Sequence, residues 1–244
     1  GCDAYSHIDG GVSAAVRAAR EADVAVLTLG LPGNHSGETS SMTSVELPQA
    51  QKELLAAVKA TGKPVVVLLV TGRPMALESV DELMDALLVV WHPGTAGGDA
   101  LADLLSGDYS PSGHLTMSFP RCDGQIPIRY NYKSTGRPLT KEMDYTQSHK
   151  AKKNYQTCYL FTPNTPLYPF GYGLSYTQFS FTDLQVLDPE VAMGEDVRVK
   201  VRVTNVGEVP GTTVAQLYIR DKVASTTRPV RELKGFERVS LAPG

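Results

Sequence analysis

Along the first hundred residues the apolar positions change period several times. Residues 11–22 are rich in alanine, with apolar side chains at helical spacing. Residues 47–60 repeat that pattern, with Pro48 in the first turn, where a missing N–H is tolerated. Short unbroken apolar runs stand among these helices: residues 24–29 ending at Gly30, residues 65–70, and residues 87–91. Such runs predict strands buried on both faces. Thr61, Gly62, Lys63 and Pro64 stop the second helix, and residues 97–105 predict a third, ended by Gly107. Strands and helices in alternation predict an α/β fold, a mostly parallel, doubly wound sheet in an α/β sandwich.

From residue 107 to 176 the periodicity fades. Pro, Gly, Tyr, Ser and Asn dominate, and the stretch predicts an ordered wrap along the surface, held by its aromatic side chains. From Phe179 onward the period becomes two. Residues 197–203 alternate apolar and polar side chains, residues 204–207 supply a turn, and residues 213–219 and 233–241 predict two further strands. These strands begin a β-sandwich but are too few to close one of about seven. The resulting division is 1–176 and 177–244. The abrupt start at Gly1 and the stop at Gly244 lead us to expect a piece cut at both ends.

Composition narrows the function classes. The 244 residues carry a net charge of −3, with basic and acidic side chains interspersed. No basic stripe points to nucleic acid, and no apolar run reaches the ~18 residues of a membrane span. Cys2, Cys122 and Cys158 are far apart and are expected to be free thiols or one incidental pair. The five histidines, His7, His35, His92, His114 and His149, do not fall at metal-ligand spacing, and no cofactor is expected. A nucleophile elbow of the Gly-x-Ser-x-Gly kind is missing from the sequence.

In an open α/β sheet, ligands bind beyond the carboxyl ends of the strands. Three loops leave that edge: residues 30–45, 71–74 and 92–98. The first is the richest, with Asn34, His35 and Ser36 before Gly37 and a lone carboxylate, Glu38. Glu38 reads either as a solvated or capping loop residue or as an acid presented to something outside the domain. The loop lacks a phosphate-binding glycine pattern. Arg73 reads as structural rather than substrate-binding, His92 as a packed or rim histidine, and Glu46 as a helix-start carboxylate favoured by the dipole.

The middle of the chain is more specific. Trp91-His92-Pro93-Gly94-Thr95-Ala96-Gly97-Gly98 is followed by Gly107-Asp108-Tyr109-Ser110-Pro111-Ser112-Gly113-His114-Leu115-Thr116. Thr135-Gly136-Arg137-Pro138 and Tyr168-Pro169-Phe170-Gly171-Tyr172-Gly173-Leu174-Ser175-Tyr176 come next. This series strongly resembles the second domain of glycoside hydrolase family 3, and most of all its bacterial periplasmic members. Arg228-Pro229-Val230 and Leu233-Lys234-Gly235-Phe236 resemble that family's fibronectin type III-like domain. The resemblance implies the α/β sandwich followed by an incomplete fibronectin III-like β-sandwich.

It also implies a function. A (β/α)8 barrel preceding this chain would carry the nucleophilic Asp and most of the sugar site. The loop here would bring Glu38 as general acid/base, with Asn34, His35 and Ser36 as sugar contacts. Two carboxylates of this kind perform retaining hydrolysis: one attacks the anomeric carbon, the other protonates the leaving oxygen and then activates water. The implied substrate is a β-linked oligosaccharide or aryl glucoside cleaved at the non-reducing end. The implied location is periplasmic or secreted. This piece alone is expected to be inactive, because half the pair is missing. A β-xylosidase or α-arabinofuranosidase of the same family, and a non-catalytic carbohydrate-binding or scaffold relative, are the alternatives. Three departures from the family pattern bear on the pocket rim: Met42 and Ser44 replace an Arg and an Asp, Cys158 and Phe161 replace another such pair, and Leu31 stands where a Glu often follows Gly30.

Overall fold

The three apolar runs of the first hundred residues pair as one parallel sheet. In the computed structural model, which describes residues 6, 10–35, 37–134, 136–138 and 156–244, strands β1 (Ala25–Gly30), β2 (Val65–Val70) and β3 (Ala86–Val89) lie in that order. Cys2, His7, Ser36, Thr135 and His149 lie outside the described residues. Leu27 stands opposite Val67, and Val67 opposite Leu87. β2 is the centre, and its Val65, Val67 and Leu69 are fully buried. β1 is an edge among the described strands, so Val26 remains 47% exposed although its sequence reads as buried on both faces.

Two helices pack on one another beside this sheet: α1 (Gly11–Glu21) and α2 (Gln49–Lys59). They differ in weight. α1 buries Ala19 alone, whereas α2 buries Ala50, Gln51, Leu54, Leu55 and Val58. Burying each of the three large apolar side chains of α2 is worth about 1.5–3 kcal/mol, so this helix carries the core. Pro48 caps α2 rather than lying inside it, and its carbonyl accepts from the amides of Gln51 and Lys52 at 3.0 and 3.1 Å. β3 stops two residues earlier than its apolar run, because Trp91 turns the chain at φ 52°.

Compactness divides the chain into two units: Gly1–Thr95 with Met117–Phe170, and Ala96–Thr116 with Gly171–Gly244. In the first, aromatic side chains tie the non-periodic segments to the sheet. Phe119 is fully buried, with its ring centroid 5.9 Å from that of Trp91 and 6.0 Å from that of Tyr168. Tyr130 stacks on Phe170 at 4.0 Å. In the second unit, α3 (Gly97–Ser106) ends at Gly107 in the left-handed conformation, φ 86°.

The second unit also holds two antiparallel pairs: β4 (Phe179–Val186) with β5 (Val199–Asn205), and β6 (Gly211–Ile219) with β7 (Glu232–Leu241). β4 escaped the sequence reading as a separate strand. A bulge between Thr182 and Gln185, with Asp183 at φ 56°, breaks its alternation. Asn205 is 1% exposed and joins the two pairs: its Nδ2 donates to the carbonyls of Val209 and Leu241 at 2.8 and 3.2 Å.

Candidate active site

The loop after β1 has a tightly built root. Gly30 ends the strand at φ 131°, and a Cβ there would sit 1.8 Å from the Val70 carbonyl oxygen. Only glycine permits that approach. The peptide groups of Gly30 are met by Gln51 of α2, which is 5% exposed. The Gly30 N–H donates to Gln51 Oε1 at 2.8 Å, and Gln51 Nε2 donates to the Gly30 carbonyl at 2.8 Å. The Leu31 N–H then donates to the Val70 carbonyl at 3.0 Å, with the Leu31 side chain buried. Where a carboxylate was the family expectation, this chain packs an apolar group into the core.

Beyond the root, a short 3-10 turn, Gly33–His35, is closed by the His35 N–H donating to the Pro32 carbonyl at 2.9 Å. Two consecutive carbonyls of this turn are then gripped. The Ser40 hydroxyl donates to Asn34 O at 2.9 Å, and Arg73 Nη2 donates to His35 O at 2.6 Å. Glu38 lies between the gripped His35 and Ser40 and is exposed. Thr39, next to it, holds φ at 61°. For a β-branched residue that conformation costs about 1–3 kcal/mol and persists only where neighbours fix the chain.

The loop returns through Val45, whose N–H donates to Asp123 Oδ1 at 2.9 Å and whose carbonyl accepts from the Ala76 N–H at 3.0 Å. No Arg–Asp brace exists at Met42 and Ser44; instead the Ser44 hydroxyl oxygen accepts from the Glu46 N–H at 3.2 Å. Glu46 itself is ion-paired with Lys52 of α2, which engages its carboxylate in holding the helix start.

Of the sequence candidates, the structure places Asn34, His35 and Glu38 on one short loop segment; Ser36 lies outside the described residues. Asn34 is exposed and His35 half-buried, and both lend their backbone carbonyls to the loop's closure. His92 is exposed on a neighbouring loop. Two open grooves, of about 700 and 400 Å³, belong to the second unit, and none of the candidates lines them. Cys122 and Cys158 are free thiols. Among the described residues no cluster of His, Cys, Asp or Glu could hold a metal ion, and no helix is long and apolar enough to cross a membrane.

Sequence reasoning missed Gln51 and Asp123 and did not place the Arg73 side chain. Gln51 carried a legible signal: it lies on the face of α2 that also buries Leu54, Leu55 and Val58, where a polar residue demands a buried partner. Asp123 is 78 residues from Val45, and no local pattern links the two.

A parallel α/β sheet that hangs one carboxylate on a braced loop beyond its carboxyl edge is suited to deliver a proton to a ligand outside the sheet. The model for the glycosyl hydrolase family 3 C-terminal domain matches residues 4–176, and the fibronectin type III-like domain matches residues 213–244. The chain belongs to glycoside hydrolase family 3. It is 47% identical over 233 residues to a periplasmic beta-glucosidase of Salmonella typhimurium, covering 96% of this chain and 29% of that protein. It is 40% identical over its whole length to a beta-xylosidase of Formosa agariphila, of which it covers 32%. A crystal structure of a beta-glucosidase from Listeria innocua in complex with glucose superposes with a TM-score of 0.90 at 42% identity, over 99% of this chain and 32% of that one. The chain thus spans about three tenths of the length of these relatives.

Proposed function

We propose that this chain is the acid/base-bearing part of a retaining, exo-acting β-glycosidase that releases glucose from the non-reducing end of β-glucosides. The observation that carries the reading is Glu38, set on a loop beyond the carboxyl edge of the sheet, after the gripped carbonyls of Asn34 and His35 and before Ser40. Glu38 protonates the departing glycosidic oxygen as the barrel's carboxylate attacks the anomeric carbon. It then takes a proton from the water that hydrolyses the glycosyl-enzyme ester. Asn34, His35 and Ser36 contact the sugar. The nucleophile belongs to a barrel domain preceding this chain in the intact polypeptide, so this piece alone turns over no substrate. The family-model match to residues 4–176 supports a domain boundary at residue 176. Similarity to the Salmonella periplasmic enzyme supports a periplasmic or secreted location.

A second reading is β-xyloside hydrolysis, favoured by the 40% identity to the Formosa beta-xylosidase. The test uses the intact polypeptide, wild type against Glu38→Ala, on an activated aryl β-glucoside, an unactivated β-linked disaccharide and an aryl β-xyloside, with and without azide. Loss of general acid help is expected to cost ~10²–10⁴-fold on the disaccharide and far less on the aryl substrate. Azide is expected to rescue the variant and give the β-glycosyl azide. An unchanged Glu38→Ala enzyme would assign the role to another carboxylate. A wild type that prefers the xyloside would move the second reading ahead.

A further inference from the structure

We propose that Arg73 is a positioning residue for Glu38, gripping the acid-bearing loop by its backbone so that the carboxyl meets the leaving oxygen; this rests on the reading of Glu38 given above. The Arg73 guanidinium reaches across 38 residues of sequence to the His35 carbonyl, at 2.6 Å. That carbonyl is three residues before Glu38, and the Ser40–Asn34 bond closes the segment from the other side.

Arg73 is itself held. Thr71, fully buried at the end of β2, donates its hydroxyl to the Arg73 carbonyl at 2.8 Å and accepts the Arg73 N–H at 3.2 Å. Pro74 follows and fixes its own φ. A charged donor on a rigid turn therefore holds a carbonyl on a loop that otherwise lies largely in solvent. Such charge-assisted bonds are about twice as strong as neutral ones. The Arg–Asp brace that the family pattern places at residues 42 and 44 is missing, as Met42 and Ser44. The grip from Arg73 occupies the other arm of the same loop. Without it the Glu38 carboxyl keeps its chemistry and loses its aim, and a misplacement near 1 Å can cost about 10²-fold in rate.

The distinguishing readout is dependence on the leaving group. In the intact polypeptide, Arg73→Gln, Arg73→Lys, Glu38→Ala and the Arg73→Gln/Glu38→Ala double variant are compared with wild type. The substrates run from a dinitrophenyl β-glycoside, which departs without proton donation, to a β-linked disaccharide, which requires it. Arg73→Gln is expected to lose ~10–100-fold in kcat on the disaccharide and under ~3-fold on the dinitrophenyl glycoside. The double variant is expected to be no slower on the disaccharide than Glu38→Ala. Arg73→Lys, which keeps the charge and changes the reach, falls between and serves if Arg73→Gln does not fold. Equal loss on every substrate would mean a purely structural arginine and overturn the inference while leaving the Glu38 reading intact. A Glu38→Ala enzyme without leaving-group dependence would overturn both.

Discussion

The two ends of the parallel β1–β2 pair are fastened by different chemistry. At the carboxyl end, where the Glu38 loop departs, the backbone of Gly30 is clamped by the neutral, buried amide of Gln51. At the amino end the fastening is ionic and open to water. Asp85 Oδ2 accepts from the Val65 N–H at 2.7 Å and from Lys59 Nζ at 2.6 Å, with the Asp85 side chain 47% exposed. The difference bears on function. In the proposed role the loop works while the Glu38 carboxyl gains and loses a proton, and a neutral amide clamp does not change with that cycle or with the pH around it. The exposed ionic clamp stands at the far edge of the sheet, where a pH-dependent contact leaves the loop's footing alone.

The largest expected effect comes from breaking the carboxyl end outright. Gly30→Ala drives a methyl onto the Val70 backbone, which has no flexible end to yield. Destabilisation above about 4 kcal/mol is expected, enough to remove soluble protein from an expression test. Full-yield, wild-type-like Gly30→Ala would show that the strand ends separate readily and that the root is looser than its geometry implies. Removing the clamp is milder. Gln51→Ala leaves the buried N–H and carbonyl of Gly30 without partners, at about 1–3 kcal/mol each. Chemical unfolding is expected to register about 2–6 kcal/mol at any pH between 5 and 8. A loss confined to one side of that range would contradict the neutral clamp.

How much of this was legible beforehand follows from what each feature depends on. The strands and helices of the first unit announced themselves, because β2 and α2 bury apolar runs whose period is local. β4 did not, because its bulge at Asp183 interrupts the alternation on which a strand reading relies. Glu38 stood out as the lone carboxylate of its loop, and family resemblance, not spacing, gave it a role. The partners that hold the loop were invisible for a different reason. Arg73 with His35, and Asp123 with Val45, are side-chain-to-backbone bonds over long separations, and a backbone acceptor leaves no residue type to recognise. Met42 and Ser44 marked a missing brace but could not show what replaced it.

The smallest effect tests the amino end. In the folded chain the hydrogen bond from Lys59, followed by that from the Val65 amide, holds the Asp85 carboxyl below its ordinary pKa. A carboxyl lowered in this way stabilises the fold above its unfolded pKa of about 3.9, and that stabilisation is lost as pH falls through the lower folded value. Asp85→Asn keeps an acceptor for the Val65 amide and removes the charge facing Lys59. Wild type is therefore expected to unfold at a slightly higher temperature than Asp85→Asn at pH 7, with the gap narrowing below about pH 4 and in high salt. The Gln51→Ala gap, measured in the same scans, should not follow it. If both gaps close together with acid, the carboxyl end also depends on a charge, and the contrast between the two ends of the β1–β2 pair fails.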